Sequence, residues 1–168
     1  VVNRVESAVN LCAALQAHPD VDPQSVSLLV GPQRAWERET GLTREREPLF
    51  YVATQTIEVG VDLDLCALIT DLAPGTALAQ RAGRLNRRGL RPDGRLHLLA
   101  PMQASQLTDK SSRPYTPGDL AAAQEWITRL ESHPGGISPQ AVQADPAPQP
   151  AAGRSEERRV GKECRSRW

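Results

Sequence analysis

The sequence predicts an α/β domain in which a parallel sheet is flanked by helices. Three apolar runs of strand length, residues 25–30, 49–54 and 65–71, are separated by segments with helical or polar patterning. Apolar runs without alternation are typical of strands buried on both faces, and strands that alternate with helices usually pair in parallel. We therefore expect a sheet that helices cover on both faces.

The first half of the chain supplies the start of this pattern. Val1 and Val2 have the composition of a strand end, and apolar residues at helical spacing predict a helix over about 4–17, with Asn3 as its N-cap. A strand over 25–30 ends at a Gly-Pro pair. Residues 33–40 predict a short polar helix, and 49–54 predict the next strand.

The second half completes the predicted sheet. The strand 65–71 leads through a Pro-Gly break into a short helix over 77–84, and 94–100 form the final strand. Thr116, followed by Pro117 at the first helical position, predicts a capped helix over 117–131. Residues 133–153 contain five prolines and three glycines, so we expect a disordered linker there and a folded domain over 1–132.

The C-terminal residues 154–168 read RSEERRVGKECRSRW, which matches the translation of a common sequencing adapter. We interpret them as an artefact and exclude them from the fold. They hold six of the 20 Lys/Arg and three of the 20 Asp/Glu residues, which leaves 14 basic and 17 acidic residues and a net charge of −3 in 1–153. A weakly acidic domain does not bind duplex nucleic acid through net charge alone.

The composition excludes several classes of protein. Cys12 and Cys66 lie in apolar patterns, and we expect buried thiols in a reducing compartment, the cytoplasm, rather than a disulfide framework. The three histidines are far apart and lack cysteine companions at ligand spacing, so no metal site is predicted on them. No run of about 18 apolar residues occurs, so we predict no membrane span.

Two polar motifs follow neighbouring predicted strands. Residues 54–64, TQTIEVGVDLD, form what we call the acidic loop, and residues 80–89, QRAGRLNRRG, form the arginine segment, with four arginines and two glycines. Carboxylates accept hydrogen bonds from ribose hydroxyls, and guanidinium groups fork onto phosphate oxygens. The two motifs together therefore suit the binding of a nucleotide.

In this order and at this separation, the two motifs resemble motifs V and VI of superfamily 2 helicases. Their amino-acid sequences are most similar to those of the CRISPR-associated helicase–nuclease of type I systems, and Asn86 within the arginine segment favours that family. The resemblance covers about residues 1–100. It implies a partial second helicase domain of the RecA-like P-loop NTPase fold, which faces a first RecA-like domain across an ATP cleft.

The resemblance also implies roles for individual residues. Arg84 and Arg87 would be the catalytic arginines that approach the transferred phosphate, a task that suits a permanently charged and forked side chain. Thr54 would contact the nucleic-acid backbone, and Glu58 would either couple the two sites or cap a turn. The implied nucleotide contacts are Gly60, Asp62, Gln80, Arg81 and Gly83. For Arg81, bracing of the motif is an alternative role.

The implied ligands are ATP and single-stranded DNA, with Mg²⁺ held mainly by the first motor domain. The implied partners are that first RecA-like domain and a CRISPR effector complex. No membrane partner is implied. Two other interpretations stay open. The I-E-V-G-V-D core also occurs in DNA-repair and restriction-type superfamily 2 helicases, and the chain could instead be a non-catalytic nucleic-acid-binding module. Taken singly, Asp62 and Asp64 could be ordinary turn acids, and Arg87, Arg88 and Arg91 could form a solvated face.

We predict that the 168-residue chain does not hydrolyse ATP by itself. It contains no G-x-x-x-x-G-K-[ST] loop outside or inside the adapter-like tail, and no acidic magnesium motif. Steady-state phosphate release with single-stranded DNA present checks this expectation. Turnover by the pure chain that exceeds turnover by a matched Arg87→Ala chain would contradict it.

Overall fold

The computed structural model describes residues 1–31, 49–58, 62–91, 94–102, 106–134 and 136–150. The predicted helix over 33–40 and the tail 154–168 lie outside these residues. The strands are β1 (Val26–Leu29), β2 (Phe50–Ala53), β3 (Ala67–Asp71) and β4 (Arg95–Leu99). The α-helices are α1 (Val5–Gln16), α2 (Gly75–Ala82), α3 (Asp109–Ser112), α4 (Pro117–Glu131) and α5 (Pro139–Ala144).

The strands pair in parallel, as the sequence predicts. β1 pairs with β2 in the register Val26 to Phe50, and β3 pairs with β4 in the register Ala67 to Arg95. The four predicted strands and three of the predicted helices are present, with ends shifted by a few residues. The α/β class is therefore confirmed for the described part of the chain.

Val1 and Val2 lie between the two strand pairs and bond to both. The Val2 amide donates to the Ala53 carbonyl of β2 over 2.9 Å, and the Asp71 amide of β3 donates to the Val1 carbonyl over 2.9 Å. The Val1 amino group donates to the Ile69 carbonyl. These bonds give Val1 and Val2 the two-sided hydrogen bonding of a central strand, and they hold β2 and β3 in one layer.

Helices cover the sheet unevenly. Ala8 and Cys12 of α1 pack on Val26 and Val52 of the β1–β2 pair. A larger cluster joins α2, α4 and α5, with Trp126 fully buried at its centre. Apolar burial of this kind is the main favourable term in folding.

In the part of the chain that the structure describes, one face of the β3–β4 pair is not covered by a helix, which corrects the expectation of a sheet covered on both faces. Burial alternates along β3 and β4, and Ile69 and Leu99 are each more than half exposed. Cys66, expected to be buried, is also exposed, whereas Cys12 is buried as predicted. An unbroken apolar run does not reveal which of its residues the rest of the chain covers.

Residues 136–150 pack against the domain, where the sequence predicted a disordered linker over 133–153. Ser138 caps α5, Ala141 is buried, and the Trp126 indole N–H donates to the Asp145 carbonyl over 2.8 Å. A Cβ added to Gly75 would lie 2.5 Å from Pro148, so the absence of a side chain on α2 permits this approach. The composition of the segment conceals these few well-placed contacts. The division of the chain into domains stays a prediction.

No described helix is sufficiently long and apolar to cross a membrane.

We predict that Trp126→Ala lowers the free energy of unfolding by about 3–5 kcal/mol, the usual cost of truncating a buried aromatic side chain. Met102→Ala is the control, because Met102 is almost fully exposed and such changes usually stay within about 0.5 kcal/mol. Urea unfolding followed by circular dichroism measures both. Equal midpoints for the two variants would show that α4 does not pack on α2 and α5 as described.

Candidate functional site

The acidic loop and the arginine segment lie against each other. The Leu65 amide donates to the Arg84 carbonyl over 2.8 Å, and the Asn86 amide donates to the Leu65 carbonyl over 2.7 Å. These two bonds form an isolated parallel bridge between Leu65 and Leu85. The side chains of the two motifs are therefore brought together by backbone pairing that does not depend on any ligand.

Arg81 is the anchor of the arginine segment. Its side chain is 0% exposed, and its Nη2 lies 2.8 Å from Oε1 of Glu58, which is also largely buried. The Nε atom donates to the same carboxylate oxygen over 2.9 Å. The remaining acceptors for its guanidinium, at 2.8 to 3.3 Å, are Thr70 Oγ1, the Asp71 carbonyl, Asn3 Oδ1 and the Tyr115 hydroxyl.

These partners accept from all three nitrogens of the Arg81 guanidinium. A buried charge is tolerated only when it is paired and hydrogen-bonded, and Arg81 meets both conditions. Of the two roles implied for Arg81, bracing of the motif fits this geometry, because a phosphate oxygen would have to displace a buried acceptor. Glu58 joins the two motifs through its pair with Arg81, and its role in coupling the two sites stays a prediction.

Arg84 binds the backbone of the acidic loop. Its Nε donates to the Ile57 carbonyl over 3.2 Å, and its Nη2 donates to the Glu58 carbonyl over 3.0 Å. The Ile57 carbonyl ends the short 3₁₀ turn that begins at Gln55, and the Glu58 carbonyl follows directly after it. The half-buried guanidinium of Arg84 is thus held in a fixed orientation at the edge of the loop.

Arg87 lies further out and meets Asp62. Its Nε is 3.4 Å from Asp62 Oδ1, and the two side chains are 44% and 81% exposed. An ion pair with this exposure contributes little stability, because water screens it and both side chains lose rotamer freedom. Arg87 and Asp62 are therefore adjacent, and either side chain can leave this weak ion pair to contact another polar or charged group.

The other predicted nucleotide contacts differ in their placement. Gln80 is exposed beside the buried Arg81. Gly83 is exposed at the C-terminus of α2, with a φ of −64° and ordinary space for a Cβ, so its own backbone does not require glycine. Gly60 lies outside the described residues.

Thr54, the predicted nucleic-acid contact, is only 3% exposed. Its hydroxyl lies 3.2 Å from the Thr56 hydroxyl, and its amide donates to the Leu29 carbonyl over 3.1 Å. Thr54 therefore fixes the start of the acidic loop to β1, and its hydroxyl is not presented at the surface in this conformation.

Asn86 closes the arginine segment with a conformation that suits asparagine. Its φ is +46°, in the left-handed region that asparagine tolerates better than most residues. Its side chain donates to the Arg91 carbonyl over 2.8 Å and accepts from the Arg91 amide over 3.0 Å. The turn after the last predicted catalytic arginine is therefore locked by a single side chain.

Arg91 is engaged with Asp64, whereas the sequence left it on a solvated face. The two charged groups lie 2.9 Å apart. Desolvation alone would raise the pKa of the Asp64 carboxyl, but the Arg91 guanidinium and the backbone amides of Arg88 and Arg87 outweigh it, so the pKa lies below its ordinary value. The carboxylate therefore stays ionised and ties the loop end to the segment end.

Two residues of this site were missed by the sequence analysis. Asn3, expected to cap α1, instead donates to the Leu72 carbonyl and accepts from Arg81, while Arg4 occupies the cap position. Tyr115 is 34 positions from Arg81 in sequence and belongs to neither motif. No local pattern could have identified Tyr115, since only the fold brings it to the arginine.

The described residues contain no group of three or more His, Cys, Asp or Glu side chains that could hold a metal ion. The chemistry available at the site is instead that of an exposed carboxylate, an exposed amide and two guanidinium groups. Such groups suit the hydroxyl and phosphate oxygens of a nucleotide.

Comparison with known proteins points to one family. Residues 1–90 match the family described as CRISPR-associated nuclease/helicase Cas3, C-terminal. A Myxococcus xanthus protein provisionally named CRISPR-associated nuclease/helicase Cas3 is 39% identical over 90 residues, which are 54% of this chain and 11% of that protein. A Methanocaldococcus jannaschii protein with the same provisional name is 44% identical over 45 residues, 27% of this chain and 6% of its relative.

Solved structures give the same result over nearly the whole chain. A chain of a CRISPR RNA-guided surveillance complex in a pre-nicking state has a TM-score of 0.64 and 26% identity, with 98% of this chain and 23% of that chain covered. T. fusca Cas3 with AMPPNP has a TM-score of 0.59 at 24% identity, with 99% and 22% covered, and supports the fold alone. The chain thus spans about a quarter or less of the proteins that it matches.

We predict that Arg81→Ala lowers the free energy of unfolding by about 3–5 kcal/mol, because it leaves the buried Glu58 carboxylate without its partner. Arg81→Lys should restore only a minor part, since an ammonium group cannot reproduce the planar fork. Arg88→Ala, an exposed change in the same segment, is the control. Urea unfolding of the three variants provides the test, and an Arg81→Ala chain as stable as Arg88→Ala would exclude the anchoring role.

Proposed function

Since the chain belongs to the C-terminal family of the CRISPR-associated nuclease/helicase Cas3, we propose that it is the second RecA-like motor domain of an ATP-dependent helicase that translocates on single-stranded DNA in CRISPR interference. The activity belongs to the intact parent protein. The chain contributes the arginines of one wall of the ATP cleft and contacts to the DNA backbone.

The observation that carries this proposal is the packing of the acidic loop against the arginine segment. Backbone pairing at Leu65 and Leu85 holds the two motifs together, and the buried pair of Glu58 with Arg81 fixes their register. Asp62 and Arg87 meet in an exposed ion pair, and Gln80 is exposed elsewhere on the arginine segment. These groups match the parts of a nucleotide: a carboxylate for the ribose, and an amide and a guanidinium for the phosphates.

Arg84 and Arg87 have different tasks in this proposal. Arg84 is oriented by the Ile57 and Glu58 carbonyls before any ligand arrives, so its charge is preorganised, and preorganised charge is the most effective kind in phosphoryl transfer. Arg87 is held weakly by Asp62 and is more exposed. When the first domain closes, Arg87 exchanges Asp62 for the transferred phosphate, and Asp62 becomes available to a ribose hydroxyl.

ATP and Mg²⁺ complete this site in the parent. Several of the matched structures are described as T. fusca Cas3 with ATP, AMPPNP or ADP, which supports a nucleotide ligand for the family fold. The metal supplies charge neutralisation on the phosphates and is held mainly by the first motor domain. This chain supplies no metal ligand in the proposal, and its residues orient the nucleotide and stabilise charge at the phosphate oxygens.

Single-stranded DNA and a CRISPR effector complex are the proposed partners. The match to a chain of a surveillance complex supports the second of these. For DNA, Thr54 is the proposed contact. Because its hydroxyl is engaged with Thr56, contact with a backbone phosphate requires that this pair of hydroxyls open.

The family match favours the CRISPR-associated helicase over a DNA-repair or restriction-type helicase. A non-catalytic nucleic-acid-binding module is the alternative of another class. It requires that the arginines serve DNA or the surface, and not ATP hydrolysis, so the experiment below separates the two.

We predict that Arg87→Ala and Arg84→Ala in the intact parent each lower DNA-stimulated ATP turnover by at least about a hundredfold, a conservative fraction of the usual effect of an arginine finger. Lysine should rescue poorly, because it keeps the charge and loses the fork. Steady-state ATPase with saturating single-stranded DNA measures turnover, and a melting curve reports folding.

Arg88→Ala is the matched control, an exposed arginine in the same segment, and it should turn over ATP at nearly the parental rate. Parental turnover by folded Arg84→Ala and Arg87→Ala would contradict the cleft assignment. It would favour the binding module, in which the same variants should weaken DNA binding in a salt-dependent manner.

A further inference from the structure

A polar contact outside both motifs joins them. The Tyr115 hydroxyl accepts from Nη2 of Arg81 over 3.3 Å and from Nε2 of Gln55 over 3.2 Å. Gln55 is the first residue of the 3₁₀ turn in the acidic loop, and Arg81 is the anchor of the arginine segment. One oxygen atom therefore receives a hydrogen bond from each motif.

The backbone around Tyr115 is itself fixed. Its amide donates to the Ser112 carbonyl at the end of α3 over 2.9 Å. Arg4 clamps the same turn, because its Nη2 donates to the Lys110 carbonyl over 2.6 Å. The tyrosine ring also packs against the cluster formed by α2, α4 and α5. The hydroxyl is therefore held in place by the turn after α3 and by a cluster to which α4 and α5 contribute together with α2.

The consequence reaches Arg84. The carbonyls that orient Arg84 belong to Ile57 and Glu58, in and directly after the 3₁₀ turn that Gln55 begins. A shift of Gln55 relative to Arg81 moves these carbonyls relative to the backbone that carries Arg84. The orientation of Arg84 therefore depends on a contact that Arg84 itself does not make.

We propose that Tyr115 is a positioning residue, whose hydroxyl sets the acidic loop against the arginine segment and thereby orients Arg84 for phosphoryl transfer. This inference rests on the proposed function, because it assigns Tyr115 an effect on turnover. It adds to that function a residue from the connection between α3 and α4. Tyr115 touches neither nucleotide nor DNA in this role and acts only through Gln55 and Arg81.

The test is Tyr115→Phe in the intact parent, which removes one oxygen atom and keeps the packed ring. An orienting interaction that matters in the transition state changes kcat and leaves KM unchanged. We expect kcat for ATP with a saturating mixed-sequence single-stranded oligonucleotide to fall by roughly three- to tenfold, the factor of about one neutral hydrogen bond, with KM for ATP unchanged. Arg88→Ala, an exposed change in the arginine segment, is the control and should leave kcat at the parental value.

Two further variants distinguish positioning from a purely structural role. In an Arg84→Ala background, Tyr115→Phe should cause no additional loss, because the residue through which it acts is gone. Gln55→Ala removes the same link from the loop side, and its loss should not add to that of Tyr115→Phe, since residues in one network are not additive. Melting curves confirm that each variant is folded.

The outcomes separate this inference from the proposed function. A folded Tyr115→Phe protein with parental kcat, while Arg84→Ala is impaired, overturns the positioning role and leaves the cleft assignment intact. A Tyr115→Phe loss of equal size with and without Arg84 also overturns it. Parental turnover by Arg84→Ala and Arg87→Ala overturns the proposed function, and with it this inference.

Discussion

The buried ion pair between Glu58 and Arg81 is the constraint on which the site depends. It joins one residue of each motif, 23 positions apart in sequence, and the arginine also reaches Thr70 of β3 and Asn3, two residues before α1. A buried pair of this kind is not required for stability, since apolar residues of similar volume often stabilise a core as well or better. What it provides is position, because a guanidinium with several fixed acceptors allows one arrangement of the elements around it. The loop and the segment therefore share a single register.

From this anchor the arginine segment passes from the core to the solvent. Arg81 is fully buried, Arg84 is half-buried on two carbonyls of the loop, and Arg87 is exposed against Asp62. The three arginines follow one another at intervals of three residues, so a single turn of chain places them at increasing distance from the core. Asn86, between Arg84 and Arg87, turns the chain through its left-handed backbone and its bonds to Arg91. A half-buried arginine held by two carbonyls and an exposed arginine in a weak ion pair are thereby placed on the same segment.

Much of this fold could be predicted from the sequence, but the contacts that make the site could not. Thr116 and Pro117 gave a correct start for α4, because capping is a local effect. The motifs predicted Arg84, Arg87 and Asp62 as site residues; Arg87 lies against Asp62 and Arg84 against the acidic loop, and their roles stay a prediction. By contrast, the partner of Arg81 was not evident, since its acceptors come from distant positions. The Pro-rich segment packs against the domain through Ala141 and Pro148. Its composition does not show that Pro148 meets a glycine, Gly75 of α2, where no side chain blocks the contact.

Two exposed features of the chain bear on the proposed function. Ile69 and Leu99 on the open face of β3–β4 are apolar side chains in contact with water, and Arg87 and Asp62 form an ion pair that contributes little in isolation. Neither feature improves the stability of this chain alone. A surface that costs free energy in isolation is understandable when it is used for contact with something else. In the proposed motor, closure of the first domain brings a phosphate to Arg87 and a ribose hydroxyl to Asp62. Because the ion pair between Arg87 and Asp62 contributes little stability, its loss costs little, and the new contacts can lower the free energy of the transition state.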